Sequence, residues 1–478
     1  MTTMRTTRRT LSRVAGLTLA AALTRAIPGQ ASAAPRGQSA ALTGRVFWPS
    51  DAEYDAARWD FNTRISRFPA AIVVCSETAD VQNAVRWARE QGVPLRARSG
   101  GHSYEAFSTL DDGLVIDLAG LQEVTIDPAR GEATVGAGVR LGDLYQRLGE
   151  QGFALSAGSC PGVGIAGLTL GGGDGFLARE DGLTCDNLLA VELVDARGET
   201  LRASESEHPD LFWALRGGGG GNFGIVTRFT FRPRPIGDVV VLSLSWAWEE
   251  TPTVLAAWQA WAPFTDERLV AELIVPDPSD GAITVVGQFT GTEAELWPLL
   301  APLLASAPVL SQAVETVPFL TAVARFAGPP AAHATFKNTG QLAYAPFSAD
   351  AIAAFIAQMR AAPSGTHVTG IYPFGGAIGA VDPAATAFVH RQALFSLQYQ
   401  AYWQDAAETN ANLAWAAAMR AAMRPYTEGT YVNFVDSDIA DWPLAYYGAS
   451  LSRLMAVKAH YDPDNVFTGP QSIPLPGS

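Results

Sequence analysis

The chain has 478 residues, of which 48% are hydrophobic and 17% are charged, as expected for a globular protein of two or three domains. Its formal net charge of −14 argues against nucleic acid or an anionic membrane surface as a partner. Three cysteines are too few for a disulfide framework, and no cysteine–histidine cluster has zinc-ligand spacing, so we predict no metal site. Their spacing leaves open whether Cys75 and Cys185 pair with each other.

Residues 1–33 are predicted to be a twin-arginine export signal. Arg8-Arg9 precedes a modest apolar run from Val14 to Leu23, and Ala31-Ser32-Ala33 provides a small-residue cleavage site. The apolar run is too short to span a bilayer, which disfavours the alternative of an N-terminal membrane anchor. Cleavage would remove five arginines and no acids, taking the net charge from −14 to −19. We therefore expect a bacterial protein that is secreted, periplasmic or held at the cell surface, with no membrane contact after cleavage.

The first elements after the signal predict an α/β unit. A strand at 69–74 precedes a helix that begins near 76–78 and keeps apolar residues at helical spacing, and a second strand follows at 93–97. Further along, the pattern predicts a strand at 114–118, hairpins at 124–136 and 188–203, a helix at 139–149 and a short helix at 210–215.

The middle of the chain is predicted to be an antiparallel sheet with helices on one face. The predicted strands lie at 239–246, 283–290 and 393–403, and the predicted helices at 250–262, 293–305, 349–361 and 405–423. A loop is expected to begin at Tyr372. Five aromatic residues here could stack on sugar rings, but we expect most of them to lie in the core: Trp246, Trp248, Tyr399, Tyr402 and Trp403.

The stretch at 96–109 places a histidine in a glycine turn directly after a predicted strand. Gly100 and Gly101 stand between Ser99 and His102, and two arginines precede them. Glycines after a strand let the backbone turn tightly, so that several N–H groups point at one anion. From these residues alone, the loop is either a phosphate-holding turn that carries a histidine or an ordinary turn.

A second glycine-rich stretch, 156–175, carries Cys160. Together, Arg-Ser-Gly-Gly-His at 98–102 and Gly-Ser-Cys-Pro-Gly-Val-Gly at 158–164 resemble the berberine-bridge-enzyme-like flavoprotein oxidases of the vanillyl-alcohol-oxidase superfamily. The resemblance implies FAD attached twice, through His102 to the flavin 8α-methyl carbon and through Cys160 to flavin C6. It also implies an α+β protein with a two-domain PCMH-type FAD-binding fold, plus an α+β substrate domain whose antiparallel sheet is covered by helices.

The resemblance covers nearly the whole chain after the signal. The glycine run at 216–226 could be a nicotinamide-dinucleotide fingerprint, but it follows a predicted helix and not a strand, and the resemblance places it against FAD. The tail from Thr430 also matches, which implies domains at 34–232 for FAD, 233–428 for substrate and 429–478 for a return to the FAD domain. The implied cofactor residues are His102, Cys160, Arg98, Ser99, Gly100, Gly101, Ser103, Gly162, Val163, Gly164, Gly167, Gly171, Gly172, Gly224, Ile225, Val226, Tyr431, Asn433 and Asn465.

The resemblance also implies the catalytic side chains. Tyr431 stands at the family's tyrosine position and is predicted to be the base, although a phenol with an ordinary pKa of about 10 needs help near neutral pH. The alternative is a tyrosine that only packs. The motif's second tyrosine is Phe434 here, so a second hydroxyl must come from elsewhere, and Tyr372 is the candidate. Gln398 stands where relatives carry glutamine or glutamate, and it can orient an alcohol but cannot act as a base.

These residues predict an FAD oxidase that acts on a hydroxyl group. The substrate would be a small molecule, either a sugar or oligosaccharide lactol or an alcohol on a glycosylated or polyketide metabolite, with O2 reduced to H2O2. Val163 matches the small residue that family oxidases keep beside the flavin for oxygen access. Two alternatives remain: a dehydrogenase that uses another electron acceptor, and a flavin-binding protein without turnover.

Overall fold

A computed structural model describes residues 41–328 and 333–477 of the chain. The predicted export signal at 1–33 lies outside these residues. Within them, no helix combines the length and the apolar composition that a membrane crossing requires.

The first sheet has four strands and contains the predicted α/β unit. Its strand order is Arg45–Phe47, Ala71–Val74, Leu114–Asp117, Leu95–Arg98, and the last three strands are parallel. The helix Thr78–Gln91 connects two of them. It begins where Asp80 accepts a hydrogen bond from the Ser76 N–H at 2.9 Å, and it ends at Gly92, whose φ of 67° is left-handed. The strand–helix–strand prediction is confirmed.

The second sheet is antiparallel and contains both predicted hairpins. Its order is Val124–Asp127, Glu132–Gly136, Ile225–Phe231, Leu188–Val194, Thr200–Ser204. The glycine run before Ile225–Phe231 follows the helix Pro209–Ala214, as expected, so it does not open a helix after a strand.

The third sheet has seven antiparallel strands, in the order Val309–Pro318, Asp238–Ala247, Ala282–Phe289, Leu269–Pro276, Thr366–Pro373, Phe395–Tyr402, Phe336–Ala343. Four helices share one buried core with this sheet: Thr251–Trp261, Glu293–Leu304, Ala349–Arg360 and Thr409–Met423. The predicted antiparallel sheet with helices on one face is confirmed. Tyr372 lies inside the strand Thr366–Pro373, so the loop that we expected from Tyr372 begins one residue after Pro373.

The aromatic residues of this region mostly fill the core, as expected. Trp246, Trp248, Tyr399 and Trp403 are buried. Tyr402 is half-buried, because its side chain lies on the sheet face opposite the four helices, against Phe336. That opposite face is where the side chains of the candidate site are found.

The tail packs on the first two sheets. Its helices are Trp442–Tyr447 and Leu451–Tyr461, and buried tail residues such as Tyr447 and Ile473 belong to the same core as those sheets. The remaining helices and short strands are Tyr54–Ala57, Leu141–Gly149, Phe153–Ala154, Ile165–Gly171, Ala178–Asp181, Arg234–Pro235, Phe319–Phe326 and Gly376–Ala380. A small separate core contains Tyr431 of the tail, Leu342 of the seven-stranded sheet and Phe374, which directly follows the strand Thr366–Pro373.

Candidate active site

The loops 99–102 and 160–164 lie back to back. A Cβ atom placed on Gly100 would lie 2.2 Å from the Gly164 nitrogen, and one on Gly164 would lie 2.2 Å from Ser99 Oγ. Because the optimal separation of carbon atoms in contact is about 3.5–4.0 Å, these distances are far too short, and no residue larger than glycine fits at either position without a shift of the loops. The two glycines thus allow the two predicted motifs to touch.

His102 lies beside the loop that carries Cys160. A Cβ on Gly162, two residues after the cysteine, would lie 2.8 Å from His102 Nε2. The imidazole stacks on Phe61, with ring centroids 4.3 Å apart and 13° between the planes. Burial, and then the nearby Arg140, lowers the pKa of His102 to about 4. The ring is therefore neutral at neutral pH and keeps a lone pair on one nitrogen.

Cys160 is the exposed cysteine, whereas Cys75 and Cys185 are buried free thiols that do not pair with each other. The Cys160 residue is exposed, yet the surrounding protein atoms still desolvate its thiol. This desolvation raises the pKa of the Cys160 thiol, and the carboxylate of Glu272 raises it further. The group is therefore a thiol at neutral pH, and an external influence is needed to make it a thiolate.

The Arg98 side chain does not face a ligand. Its Nε and Nη2 donate to Asp117 at 2.9 and 2.7 Å, Nη2 also donates to the Ala57 carbonyl, and Asp60 lies 3.5 Å from Nη1. Two buried carboxylates, Asp60 and Asp117, therefore compensate the charge of the Arg98 guanidinium. Only the backbone of residue 98 is left for a cofactor.

The glycines that follow the Cys160 loop make room for the tail of the chain. A Cβ on Gly171 would lie 2.1 Å from Asn433 Oδ1, and one on Gly172 would lie 3.2 Å from the Tyr431 ring. Asn433 donates to the Leu168 carbonyl at 3.0 Å. Gly171 and Gly172, two of the implied cofactor residues, thus also lie against Asn433 and Tyr431 of the tail. They fix the tyrosine of the tail against the glycine-rich loop.

Tyr431 is buried, and its hydroxyl oxygen accepts two hydrogen bonds. The Gly173 N–H and Asn433 Nδ2 each donate to it at 2.7 Å. Two donors aimed at one phenol oxygen stabilise a phenolate, but burial outweighs them, and Asp174 opposes them as well, so the pKa of Tyr431 is raised. Without a substrate, Tyr431 is a neutral phenol at neutral pH. This geometry goes beyond simple packing, because the oxygen is placed to hold or pass a proton.

Tyr372, Gln398 and Tyr104 form a chain of hydrogen bonds across the sheet. The Tyr372 hydroxyl donates to Gln398 Oε1 at 2.6 Å, and Gln398 Nε2 donates to the Tyr104 hydroxyl. The carbonyl oxygen and the amino group of the Gln398 amide each form one of these hydrogen bonds, so the side chain is fixed in one orientation. Phe434 lies among the tyrosines, 5.0 Å from Tyr431 and 5.8 Å from Tyr104 between ring centroids. The site thus keeps several hydroxyl groups although Phe434 has none.

Several other expected cofactor residues have structural roles near the two loops. Ser103 Oγ accepts from the Phe107 N–H at 3.0 Å, and Gly101 adopts a left-handed φ of 68°. Val163 packs against the core that the first two sheets share with the tail. The strand Ile225–Phe231, which directly follows Gly224, lies near the histidine loop, because Ala137 N donates to the Thr227 carbonyl and Ser99 Oγ donates to the Ala137 carbonyl.

Three side chains of the site were missed at the sequence level: Tyr104, Asp174 and Glu272. Tyr104 follows the histidine motif by two residues, and proximity to His102 was the one available signal. Asp174 stands among the glycines 171–175, and nothing in the composition of that stretch indicates a role for its carboxylate. Glu272 breaks the apolar strand Leu269–Pro276, and its period-two position marks it as facing away from the core.

The residues present fit a flavin dinucleotide. A Cβ on Gly167 would meet no atom within 4 Å, so that face of the helix Ile165–Gly171 is open for a close approach. Asn465, with a φ of 52°, has a buried Oδ1 that finds no partner among the described residues, and the same holds for Arg96 Nε. A neutral imidazole, an accessible thiol and turn amides complete a donor set that suits an electron-poor ring with phosphates. No group of histidine, cysteine and acidic residues in the described part of the chain could hold a metal ion.

Comparisons with known proteins agree with this arrangement. The family profile described as "FAD binding domain" matches residues 69–204, and the one described as "Berberine and berberine like" matches residues 430–474. The chain is 41% identical to the uncharacterized FAD-linked oxidoreductase YgaK of Bacillus subtilis, over 91% of this chain and 97% of that protein. It is 32% identical to chitooligosaccharide oxidase of Gibberella zeae, over 86% of this chain and 89% of that protein. The solved structure of Physcomitrella patens BBE-like 1 superposes with a TM-score of 0.86 at 35% identity, covering 91% of this chain and 97% of that one.

Proposed function

Since the chain belongs to the berberine bridge enzyme-like family of FAD-dependent oxidoreductases, we propose that it is an exported oxidase that holds FAD through two covalent bonds and oxidises a hydroxyl group. The bonds would be to His102 and to Cys160. The substrate would be a sugar or oligosaccharide lactol, or an alcohol on a glycosylated metabolite, and O2 would be reduced to H2O2.

One observation carries the two-bond proposal. His102 Nε2 lies where a Cβ on Gly162 would be only 2.8 Å away, so the histidine lies directly beside the loop that carries Cys160, and this proximity supports attachment of one ligand to both. The neutral imidazole and the accessible thiol both suit bond formation. Attachment at two points would fix the ring without the need to enclose it, and that would leave room for a broad substrate cleft.

The side chains around this position suit the oxidation of an alcohol. FAD, when bound, supplies the acceptor for a hydride from the carbon that bears the hydroxyl. The chain's own residues must bind the alcohol, orient it and remove its proton. Tyr431 is our choice for the last task, because two donors at 2.7 Å stabilise the negative charge that its oxygen carries when it gives up its own proton. Gln398, held between Tyr372 and Tyr104, would orient the substrate hydroxyl with the N–H and the oxygen lone pair that those two hydrogen bonds leave free.

The proposed substrate class rests on relatives and on the polar sheet face. Chitooligosaccharide oxidase is among the relatives, and the chain of hydroxyl and amide groups from Tyr372 to Tyr104 offers hydrogen bonds to a polyhydroxylated molecule. Four of the five aromatic residues considered for stacking are buried, and Tyr402 alone of them is half-buried on the face of the site. Hydrogen bonding is therefore the expected main mode of recognition.

A substrate screen with the FAD-loaded enzyme tests the proposal. Mono- and oligosaccharides and glycosylated polyketides would be mixed with enzyme, first without oxygen to record bleaching of the flavin, then in air to record peroxide. We expect the same compounds to bleach the flavin and to release peroxide. Bleaching without peroxide would indicate the dehydrogenase alternative, and neither signal with any compound would favour a binding protein without turnover. Tyr431→Phe serves as the control that keeps FAD but reacts slowly.

Export is the part of the proposal that depends on residues 1–33. Arg8-Arg9 and the small-residue cleavage site support the twin-arginine route, which carries folded proteins. Fractionation of a bacterial host that expresses the full chain should place the processed protein outside the cytoplasm. Replacing both arginines by lysine should leave it inside and unprocessed, and an unchanged distribution would contradict this route.

A further inference from the structure

We propose that Lys337 is a positioning residue of the active site, because its buried ammonium ties the loop that follows His102 to the segment that follows Tyr431. Through these ties it fixes the spacing between Tyr104 and Tyr431, which come from distant parts of the chain. The inference rests on the proposed function above. Lys337 itself is not assigned a contact with substrate, cofactor or reacting atoms.

Three carboxylates surround the Lys337 ammonium, which has three N–H donors. Its Nζ donates to Glu105 Oε1 at 2.7 Å and to Asp436 Oδ1 at 2.6 Å. It also forms an ion pair with Asp438 Oδ2 at 3.0 Å. The lysine and the first two carboxylates are buried. Burial by itself would lower the pKa of Lys337, but Asp436 and Glu105 raise it, so the group stays a cation at neutral pH.

The groups that meet at this ammonium belong to three separate parts of the site. Glu105 directly follows Tyr104, the end of the hydrogen-bonded chain that holds Gln398. Asp436 lies in the segment that begins with Tyr431. The lysine itself is the second residue of Phe336–Ala343, an edge strand of the seven-stranded sheet. One buried cation therefore joins the histidine motif, the tail and the substrate sheet.

Aromatic rings beside these residues pack on one another. The Tyr104 ring lies 5.6 Å from Phe336, edge to face, and 5.8 Å from Phe434, to which it is nearly parallel. Phe434 lies 5.0 Å from Tyr431. Hydrogen bonds between charged groups are short and about twice as strong as neutral ones. The bonds of Lys337, more than the ring contacts, therefore fix how these three segments lie.

Arg64 holds the other side of the Glu105 carboxylate. Its Nη2 donates to Glu105 Oε2 at 2.9 Å, and its Nε donates to the Phe336 carbonyl at 3.0 Å. Ser437 Oγ also donates to Glu105 Oε2, at 3.1 Å. Both oxygens of the residue next to Tyr104 are thus occupied, so this part of the loop cannot shift without breaking a hydrogen bond to a charged group.

A buried ion cluster of this kind gives direction more than stability. Because removing charges from water is costly, such clusters are often replaced by apolar residues without loss of stability, whereas removing one partner alone is strongly destabilising. The chain has only two lysines among its 33 basic residues. An ammonium is a compact charge that fits between three carboxylates, whereas a guanidinium is a planar fork. The choice of lysine at position 337 therefore suits the geometry that we assign to it.

The test compares three variants of the FAD-loaded enzyme. Lys337→Met leaves two buried carboxylates without their cation. The triple variant Lys337→Met/Glu105→Gln/Asp436→Asn removes the three charges together and keeps a carbonyl oxygen at both acidic positions. Leu300→Ala is the matched control, because this buried leucine lies in the helix Glu293–Leu304 on the far side of the sheet, and its truncation costs a similar amount of stability.

The first readout is amide hydrogen exchange, which needs no substrate and reports local opening. Peptides that cover 103–107 and 431–438 contain amides held by local hydrogen bonds, such as the one from the Phe434 N–H to the Tyr431 carbonyl at 2.8 Å. We expect both peptides to exchange about tenfold faster in the two Lys337 variants, as the loss of a hydrogen bond to a charged group allows. The control should exchange as the wild type does there.

The second readout is the limiting rate of anaerobic flavin bleaching by a substrate found in the screen. This rate should fall about 10–100-fold in Lys337→Met and stay low in the triple variant, because small misplacements of reacting groups are costly. It should stay near the wild-type value in Leu300→Ala. The melting temperature should fall in Lys337→Met and in the control and should recover in the triple variant. Because exchange is read without turnover, a wild type that no substrate bleaches would count against the proposed function alone.

Two results would overturn the inference. One is wild-type exchange of both peptides in Lys337→Met, since the ammonium would then not hold the two segments. The other is a bleaching rate that recovers together with the melting temperature in the triple variant, or that falls equally in Leu300→Ala, since the cluster would then act through stability alone. If Lys337→Met does not fold, the triple variant, which leaves no buried carboxylate without a cation, decides by the same readouts.

Discussion

Replacing Gly164 with alanine tests the contact that brings the two predicted motifs together. Gly164 has an ordinary φ of −78°, so alanine is tolerated by the backbone and the effect is purely steric. The new Cβ would lie 2.2 Å from Ser99 Oγ and 2.4 Å from the Gly100 nitrogen. Restoring normal contact requires the loops to separate by about 1.3 Å, and overpacking of this kind costs about 1–3 kcal/mol.

The melting temperature of the G164A protein should therefore fall by about 1–3 °C, because an unfolding entropy of about 2.1 cal/mol/K per residue corresponds to about 1 °C per kcal/mol for a chain of 478 residues. The fraction of FAD that stays on the protein after acid precipitation should fall as well, because the His102 loop moves away from the Cys160 loop. Gly237→Ala is the matched control, since a Cβ there meets no atom within 4 Å and the position is exposed. A G164A protein with the melting temperature and retained flavin of the Gly237→Ala control would refute the idea that this contact builds the site.

Three further outcomes follow from the same geometry. Tyr431→Phe should lower the rate of anaerobic flavin bleaching by about 10²–10⁴-fold with FAD still bound, and a near-normal rate would move the base to Tyr372. Gln398→Leu should raise KM more than it lowers kcat, because an orienting group is lost and not a base; the reverse split would contradict that role. Between pH 3.8 and about 7 the folded state binds the Asp174 proton more tightly than the unfolded state does, so this group's contribution to stability is lost as pH rises. Relative to Asp174→Asn, the wild-type melting temperature should fall over that range, by the equivalent of at most about 4 kcal/mol, and parallel curves would contradict the raised pKa.

Local patterns predicted most of the fold. The hairpin strands at 124–136 and 188–203, the helix that begins at Thr78 and the four helices over the large sheet follow from alternation, helical spacing and turn residues. Tyr372 was misplaced in a loop because Pro373 and the glycines after it suggest a turn earlier than the strand ends. Proline cannot donate a hydrogen bond to a neighbouring strand, but Pro373 is the last residue of its strand, so it does not mark where the loop begins.

The site was harder to predict because its contacts join distant parts of the chain. The glycines at 171 and 172 indicated a close approach, but the sequence around them does not reveal that Asn433 and Tyr431 of the tail approach there. The charge of Arg98 could not be judged without Asp60 and Asp117, which are supplied by other elements. Long-range register, which no single stretch of sequence encodes, pairs Leu273 with Ile371 and so brings the strand that carries Glu272 beside the strand that carries Tyr372.

The central claim is that His102 and Cys160 hold the same flavin, and the intact mass of acid-precipitated protein tests it most directly. The mass should include one FAD in the wild type, in His102→Ala and in Cys160→Ala, and should include none in the double variant. Proteolytic peptides of the wild type should place the flavin on both residues. Loss of all flavin from either single variant, or a wild-type mass without FAD after cofactor-replete expression, would contradict attachment at two points.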